Sequence, residues 1–212
     1  MHLPDGFISV PVAATTGVIA VTAIAVAVRV TNKKIGEKQV PMMGVLAAFI
    51  FAAQMLNFPV AGGTSGHFVG AALAAILLGP WTAVLIMSSV LVVQCVIFQD
   101  GGLLALGANI TNMAIVSVFI SYYIYKGIYL MFGKSRTGLL AGAGIGAWFS
   151  VVFAALACAF ELVISGTSPW EIAIPAMGGI HMIIGVGEAL ITVAVLSLVM
   201  ATRSDLLKLQ VT

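Results

Sequence analysis

An all-α bundle crossing a membrane is the fold class this sequence predicts, and three observations predict it. Of 212 residues, 61% are hydrophobic and 8% charged, with a mean hydropathy of +1.18. Apolar tracts of about 20 residues, the length a helix needs to cross a bilayer, recur along nearly the whole chain. The period-two alternation of a membrane β-barrel does not occur. The net charge of +2 is no signature of nucleic-acid binding, because the few basic residues serve topology. Cys95 and Cys158 lie inside apolar runs without ligand spacing and read as packing residues.

The chain opens Met1-His2-Leu3-Pro4-Asp5-Gly6, ahead of the first apolar segment. A second-position histidine creates a chelate. The free amine of Met1, the His2 amide nitrogen once deprotonated, and the ring nitrogen nearest the backbone close two fused rings on one ion. The short, nearly planar backbone sets these nitrogens at three corners of a square, which suits nickel(II) or copper(II) and not tetrahedral zinc. The plain alternative is a histidine that merely follows the start codon. Pro4 biases Leu3 toward extended backbone, and Pro-Asp-Gly is turn chemistry that folds the terminus back over the segment starting near Phe7.

The first span covers about 7–30 and closes in Arg29, Lys33, Lys34, Glu37 and Lys38, which marks a cytoplasmic loop. No basic leader or small-residue cleavage site precedes it, so Met1 is expected to remain an exposed terminus on the outer face. A second span, about 41–58, returns outward, with Gly44, Ala48 and Ala52 at helical spacing that admits a close helix neighbour. The glycine-rich stretch from Pro59 to His67 then leads into a short apolar run ending at Gly79-Pro80. Further spans follow at about 81–98, 109–126, 138–164 and 179–201, with Asn109 and Asn112 opening the second of these. That makes about seven crossings, with the N-terminus outside and the C-terminus cytoplasmic. All nine Lys and Arg residues fall on the side assigned to the cytoplasm, so the topology is self-consistent. The expected organisation is one transmembrane domain over 1–212: a chelating segment (1–6), an additional N-terminal helix (7–30) and a core bundle (41–201).

Under this topology His2, His67 and His181 converge on the outer face. His67, a neutral imidazole on a bendable loop, supplies the one nitrogen the terminal chelate lacks; a satisfied polar residue at a helix start is its plain alternative. His181 shares a helical face with Glu188, seven positions on. An ionised carboxylate inside the membrane costs about 3 kcal/mol, which makes Glu188 and Glu161 functional candidates, with interhelical hydrogen bonding as the alternative. His181, Asn109 and Asp5 are candidates to orient the ligands.

Two readings from other classes compete. Gly63-Thr64-Ser65-Gly66 matches the Gly-x-Ser-Gly loop of rhomboid-like intramembrane serine proteases, with His181 as the base, but leaves Met-His unexplained. A stand-alone metal channel would show polar rings stacked along a pore, and this sparsely charged core offers none. Gly133-Lys134-Ser135 is similar to the end of a phosphate-binding loop. However, position 128 is isoleucine where the first glycine belongs and no strand precedes it, so no ATP binding is expected.

The opening Met1-His2-Leu3-Pro4-Asp5-Gly6-Phe7-Ile8-Ser9 and the internal Gly62-Gly63-Thr64-Ser65-Gly66-His67 resemble the signatures of the CbiM/NikM type, the substrate-binding membrane components of energy-coupling factor (ECF) transporters for cobalt and nickel. The resemblance spans the whole chain. It implies a non-enzymatic protein of seven transmembrane helices, with nickel(II) or cobalt(II) as transported substrate held by Met1, His2 and His67. Leu3 stands where isoleucine is common, a change that does not touch the ligands. The implied partners are a membrane coupling protein, cytoplasmic ATPase subunits and often a small accessory membrane subunit, in the inner or plasma membrane of a prokaryote.

Overall fold

Backbone amides find no water inside hydrocarbon, so long apolar tracts close their hydrogen bonds internally as helices. The computed structural model describes residues 1–36, 39–60 and 64–208, and the expected tracts form helices in it. These are α1 (Val10–Lys34), α2 (Val40–Gln54), α3 (Ala71–Leu78), α4 (Pro80–Phe98), α5 (Leu106–Ile110), α6 (Ser117–Met131), α7 (Arg136–Ile164), α8 (Trp170–Thr202) and α9 (Asp205–Lys208). Five helical stretches are long and apolar enough to cross a membrane: Val10–Lys34, Pro80–Phe98, Leu106–Met131, Arg136–Ile164 and Trp170–Thr202. The expected positions Glu37 and Lys38 of the basic cluster, and Gly62 and Gly63 of the glycine-rich motif, lie outside the described residues.

Four departures from the sequence reading shape the site. The second helix stops at Gln54, because Phe58–Val60 (β1) turns back to pair antiparallel with Thr64–Gly66 (β2), Phe58 opposite Gly66. The short apolar run is α3, an eight-residue helix with Ala71 to Leu77 all buried. Leu106–Met131 is interrupted by a π-turn, Thr111–Val116, in which the Ser117 amide reaches back five residues to the Asn112 carbonyl. The Ser117 hydroxyl donates to the Asn112 and Met113 carbonyls at 3.2 and 3.1 Å, steadying the widened turn. Finally, α8 begins at Trp170, nine residues before the expected 179; Pro175 lies inside it without ending it, as membrane helices tolerate.

Packing is tightest where side chains vanish. A Cβ on Gly107 would lie 2.5 Å from the Gly17 Cα, so α1 and α5 cross backbone to backbone. Apart from that seam α1 is largely exposed, burying Thr16, Ala20, Ala27 and Thr31 along one stripe. On α2 the buried residues are Leu46, Ile50 and Gln54. Gly44, Ala48 and Ala52 are exposed, so they do not pack the bundle internally. Residues 1–7, 65–67, 94–105 and 167 meet at one end of the bundle. Arg29, Lys33 and Lys34 near the end of α1, Lys134 before α7 and Arg136 at its first position, and Arg203 after α8 stand at the other helix ends.

Candidate metal centre

The loop carrying His67 is held from two helices. Gln54, the last residue of α2, donates its Nε2 to the Val69 carbonyl at 2.7 Å. From α8, the Glu188 carboxylate accepts the Val69 and Gly70 amides at 2.9 and 2.6 Å, capping the start of α3. Gly70 has φ +77, the left-handed conformation that a turn into α3 requires here. Within this frame the buried His67 ring donates Nδ1–H to the Phe68 carbonyl at 2.7 Å. Its Nε2 therefore carries a lone pair, and it is buried without a hydrogen-bond partner.

The terminal segment is pinned with equal density. Leu3 pairs with Asn109 in both directions, its amide donating to Oδ1 at 2.8 Å and its carbonyl accepting Nδ2 at 3.2 Å. That carbonyl also accepts the Gly102 amide at 2.8 Å. The Asp5 carboxylate receives the amides of Leu103, Leu104 and Ala105 at 3.1, 2.8 and 3.3 Å, closing the turn before α5. Thr167 donates to the Phe7 carbonyl, and Cys158 Sγ to the Met1 carbonyl at 3.7 Å. Met1 and Leu3 are fully buried and His2 nearly so. The terminus is thus inserted into the bundle.

These anchors bring the two halves together. The Met1 amine hydrogen-bonds to the Ser65 carbonyl and stands 3.3 Å from its hydroxyl. The His2 and His67 rings stack with centroids 4.5 Å apart and planes 21° apart. His2 Nε2 donates to Gln94 Oε1 at 3.2 Å, which leaves Nδ1, the chelating nitrogen, with the lone pair. His181 donates Nδ1–H to its own helix at the Met177 carbonyl, 2.7 Å, and its buried Nε2 has no partner. A Cβ on Gly66 would be 3.5 Å from that nitrogen, so His181 borders the same space. Three imidazole nitrogens, His2 Nδ1, His67 Nε2 and His181 Nε2, are therefore buried and unsatisfied around the amine. Buried polar atoms without partners are costly, and so many in one place point to an absent ligand. Seating one ion between His2 and His67 requires the stacked rings to turn edge-on.

Electrostatics keep these donors unprotonated. Burial pushes the Met1 amine from its ordinary 8.0 down to about 6, against the pull of Cys158 and Asp100. Burial likewise pushes His2 down to about 4, opposed by Asp100 and Gln94 and reinforced by the amine. His67 falls well below 6.5, first by burial and then by the nearby amine and His2. At neutral pH all three offer lone pairs, the state a metal takes. Among the described residues no group of three or more His, Cys, Asp or Glu side chains forms a metal cage. The Met1 amine and the His2 amide are the further nitrogens at hand beside the imidazoles.

The structure thus brings together Met1, His2, His67 and His181, with Asp5 and Asn109 positioning the terminus and Glu188 positioning the His67 loop. Glu161 is placed differently: it accepts Asn112 Nδ2 at 2.7 Å, bridging α7 to the π-turn. Sequence reasoning missed Gln94, Asp100 and Gln54, which lie 92, 98 and 15 positions from the residues they contact. No local pattern marks them. Nor is there a protease pair: His181 Nε2 makes no hydrogen bond to Ser65, whose oxygens instead face the terminal amine. Ser135, of the phosphate-loop-like stretch, caps α7 by accepting the Gly138 amide at 3.1 Å.

The pairing of Asn109 with Leu3 yields a direct test. Asn109→Leu keeps the volume and removes both hydrogen bonds, so the terminal segment loses its support while the helix persists. Nickel affinity of the purified variant, measured calorimetrically, is expected to fall about 10- to 100-fold, the scale for groups supporting a metal ligand. An affinity equal to the native value would deny Asn109 this role.

The chain is similar to known proteins along its whole length. A family model described as "Cobalt uptake substrate-specific transmembrane region" matches residues 2–206. A protein of Archaeoglobus fulgidus that carries a provisional name as a fused nickel transport protein, NikMN, is 42% identical over 210 residues, covering 98% of this chain and 68% of that one. The cobalt transport protein CbiM of Sorangium cellulosum is 31% identical over 219 residues, covering 100% of this chain and 96% of its own. A crystal structure of a truncated transition metal transporter superposes with a TM-score of 0.88 at 36% identity, covering 95% of this chain and 99% of that one.

Proposed function

Since this chain belongs to the family described as the cobalt uptake substrate-specific transmembrane region, we propose that it is the substrate-binding membrane subunit of an ATP-driven ECF-type importer for nickel(II) or cobalt(II). The ion binds at the outer face, in a multi-pass protein of a prokaryotic inner or plasma membrane. Its ligands are the Met1 amine, the deprotonated His2 amide, His2 Nδ1 and His67 Nε2. The observation that carries this reading is the buried cluster of unpaired nitrogens around an amine held unprotonated by burial. ATP is bound by separate cytoplasmic subunits. A membrane coupling protein, and often a small accessory membrane subunit, complete the complex. The exposed line of Gly44, Ala48 and Ala52 on α2 suits close approach by a helix of the coupling protein. The purified protein is expected to bind one nickel per chain as a yellow, diamagnetic form, the mark of square-planar nitrogen ligation. A colourless or paramagnetic nickel form would contradict the ligand set.

The same ligands fix a pH profile. The amide must lose a proton at every pH studied, so nickel affinity drops about tenfold for each unit of falling pH. Below about 6 the Met1 amine also protonates, and the loss steepens to about a hundredfold per unit. A free amine would show that break near its ordinary 8.0. Equilibrium binding from pH 8.5 to 5 reads the break directly, and a profile without slope would exclude an amide ligand.

A further inference from the structure

The His2 ring proton is committed to Gln94 Oε1, so Nδ1 presents a lone pair. That lone pair faces another: Asp100 Oδ1 lies 3.3 Å away, and Nδ1 makes no hydrogen bond. Two acceptors at this distance repel one another unless a cation lies between them. The structure holds them there regardless. Asn57 Nδ2 donates to the second Asp100 oxygen at 3.4 Å, fixing the carboxylate from outside. Gly101, at φ +95, brings the loop against the ring; a Cβ there would lie 2.9 Å from Asn109 Nδ2 and 3.6 Å from His2 Cβ. The side chains differ in access, Asp100 being 21% exposed and His2 only 2%. The pair therefore leads from the mouth of the site to its interior.

We propose that Asp100 Oδ1 and His2 Nδ1 form an outer subsite for a hydrated divalent transition-metal ion, at which Asp100 takes the ion before the terminal chelate closes on it. The inference rests on the function proposed above. The ion exchanges one water for the carboxylate oxygen and a second for Nδ1. The carboxylate then leaves as the amine, the amide nitrogen and His67 Nε2 complete the square, the amide proton passing to solvent. The charges support the order. An ion of +2 entering a buried place meets its first counter-charge at Asp100, and the amide anion takes over that role once it forms.

The test is the association and dissociation rate of nickel(II) with the full-length purified protein, by stopped flow. Asp100→Asn is expected to slow association at least about tenfold, the scale of electrostatic steering, with dissociation near the native rate. Asp100→Glu, which restores the charge, is expected to stay near the native rate. In the native protein, association is expected to fall as salt rises, and in Asp100→Asn most of that dependence disappears. His67→Ala separates the two ideas, since it is expected to speed dissociation and leave association unchanged. Native association in a folded Asp100→Asn variant, or a salt-independent native rate, overturns the subsite and leaves the proposed function standing. Native dissociation in His67→Ala overturns the proposed function itself.

Discussion

Replacing His67 by alanine is expected to weaken nickel binding by about a thousandfold, or ~4 kcal/mol at 1.4 kcal/mol per decade, while the helical content stays native. The asymmetry follows from what each ring nitrogen does. Nδ1 holds the Phe68 carbonyl, and losing that bond costs about 1 kcal/mol, which a bundle anchored independently by Gln54 and Glu188 absorbs. Nε2 holds nothing in the protein, so its whole worth lies in the ligand. Titration of detergent-solubilised variant and native protein, alongside circular dichroism, gives the answer. A folded variant that keeps its affinity would remove His67 from the ligand set.

Inserting one alanine to give Met-Ala-His is expected to change the chemistry instead of abolishing it. A third-position histidine brings a second backbone amide into the chelate, so amine, two amides and imidazole fill all four corners of the square. The inserted residue also displaces the terminus by up to about 3.5 Å, away from the Ser65 carbonyl it now meets, because Leu3 is locked in register by Asn109 and Gly102. The variant is expected to bind nickel or copper, to become indifferent to His67→Ala, and to lose uptake, since the ion no longer joins terminus to bundle. Acetylating the native terminus has the opposite effect on binding, removing the nitrogen from which the chelate begins. Binding and cellular uptake for the native, insertion, His67→Ala and combined proteins decide the matter. An insertion variant weakened by His67→Ala as much as the native chain would refute the terminal chelate.

Much of this was legible in the sequence because it is written in local patterns. Apolar length and the distribution of Lys and Arg specify helices and their order without any tertiary information. Met-His offers the nitrogens of a terminal chelate through covalent geometry alone. The sequence places His181 at the same end of the bundle as His2 and His67, and the structure brings the three together although its helix begins at Trp170, nine residues before the expected 179. What stayed hidden depends on contacts between distant segments. Gln94 looks like one polar residue in an apolar helix until it meets His2, and Asp100 reads as an ordinary turn residue until that turn folds against the same ring. The π-turn over Thr111–Val116 has no sequence signature, since it reflects one residue more than the α-helical register accommodates. Glu161 and Glu188 were both flagged by the cost of burying a carboxylate, yet only Glu188 adjoins the site, and burial cost alone cannot separate them.

The anchoring of the two histidine-bearing segments has a mechanical side. The His67 loop hangs on α2 and α8, through Gln54 and Glu188, and His181 rides on α8 as well. The terminal segment hangs on α4 and α5, through Gln94, Asn109 and the turn that Asp5 closes. Among the described residues no single helix anchors both segments, so an ion held by Met1, His2 and His67 would sit on a seam, like a rivet through two plates. A shift of about 1–2 Å between the plates, the size of ordinary helix movements, would stretch the bond to His67, the one that crosses the seam, while leaving each plate intact.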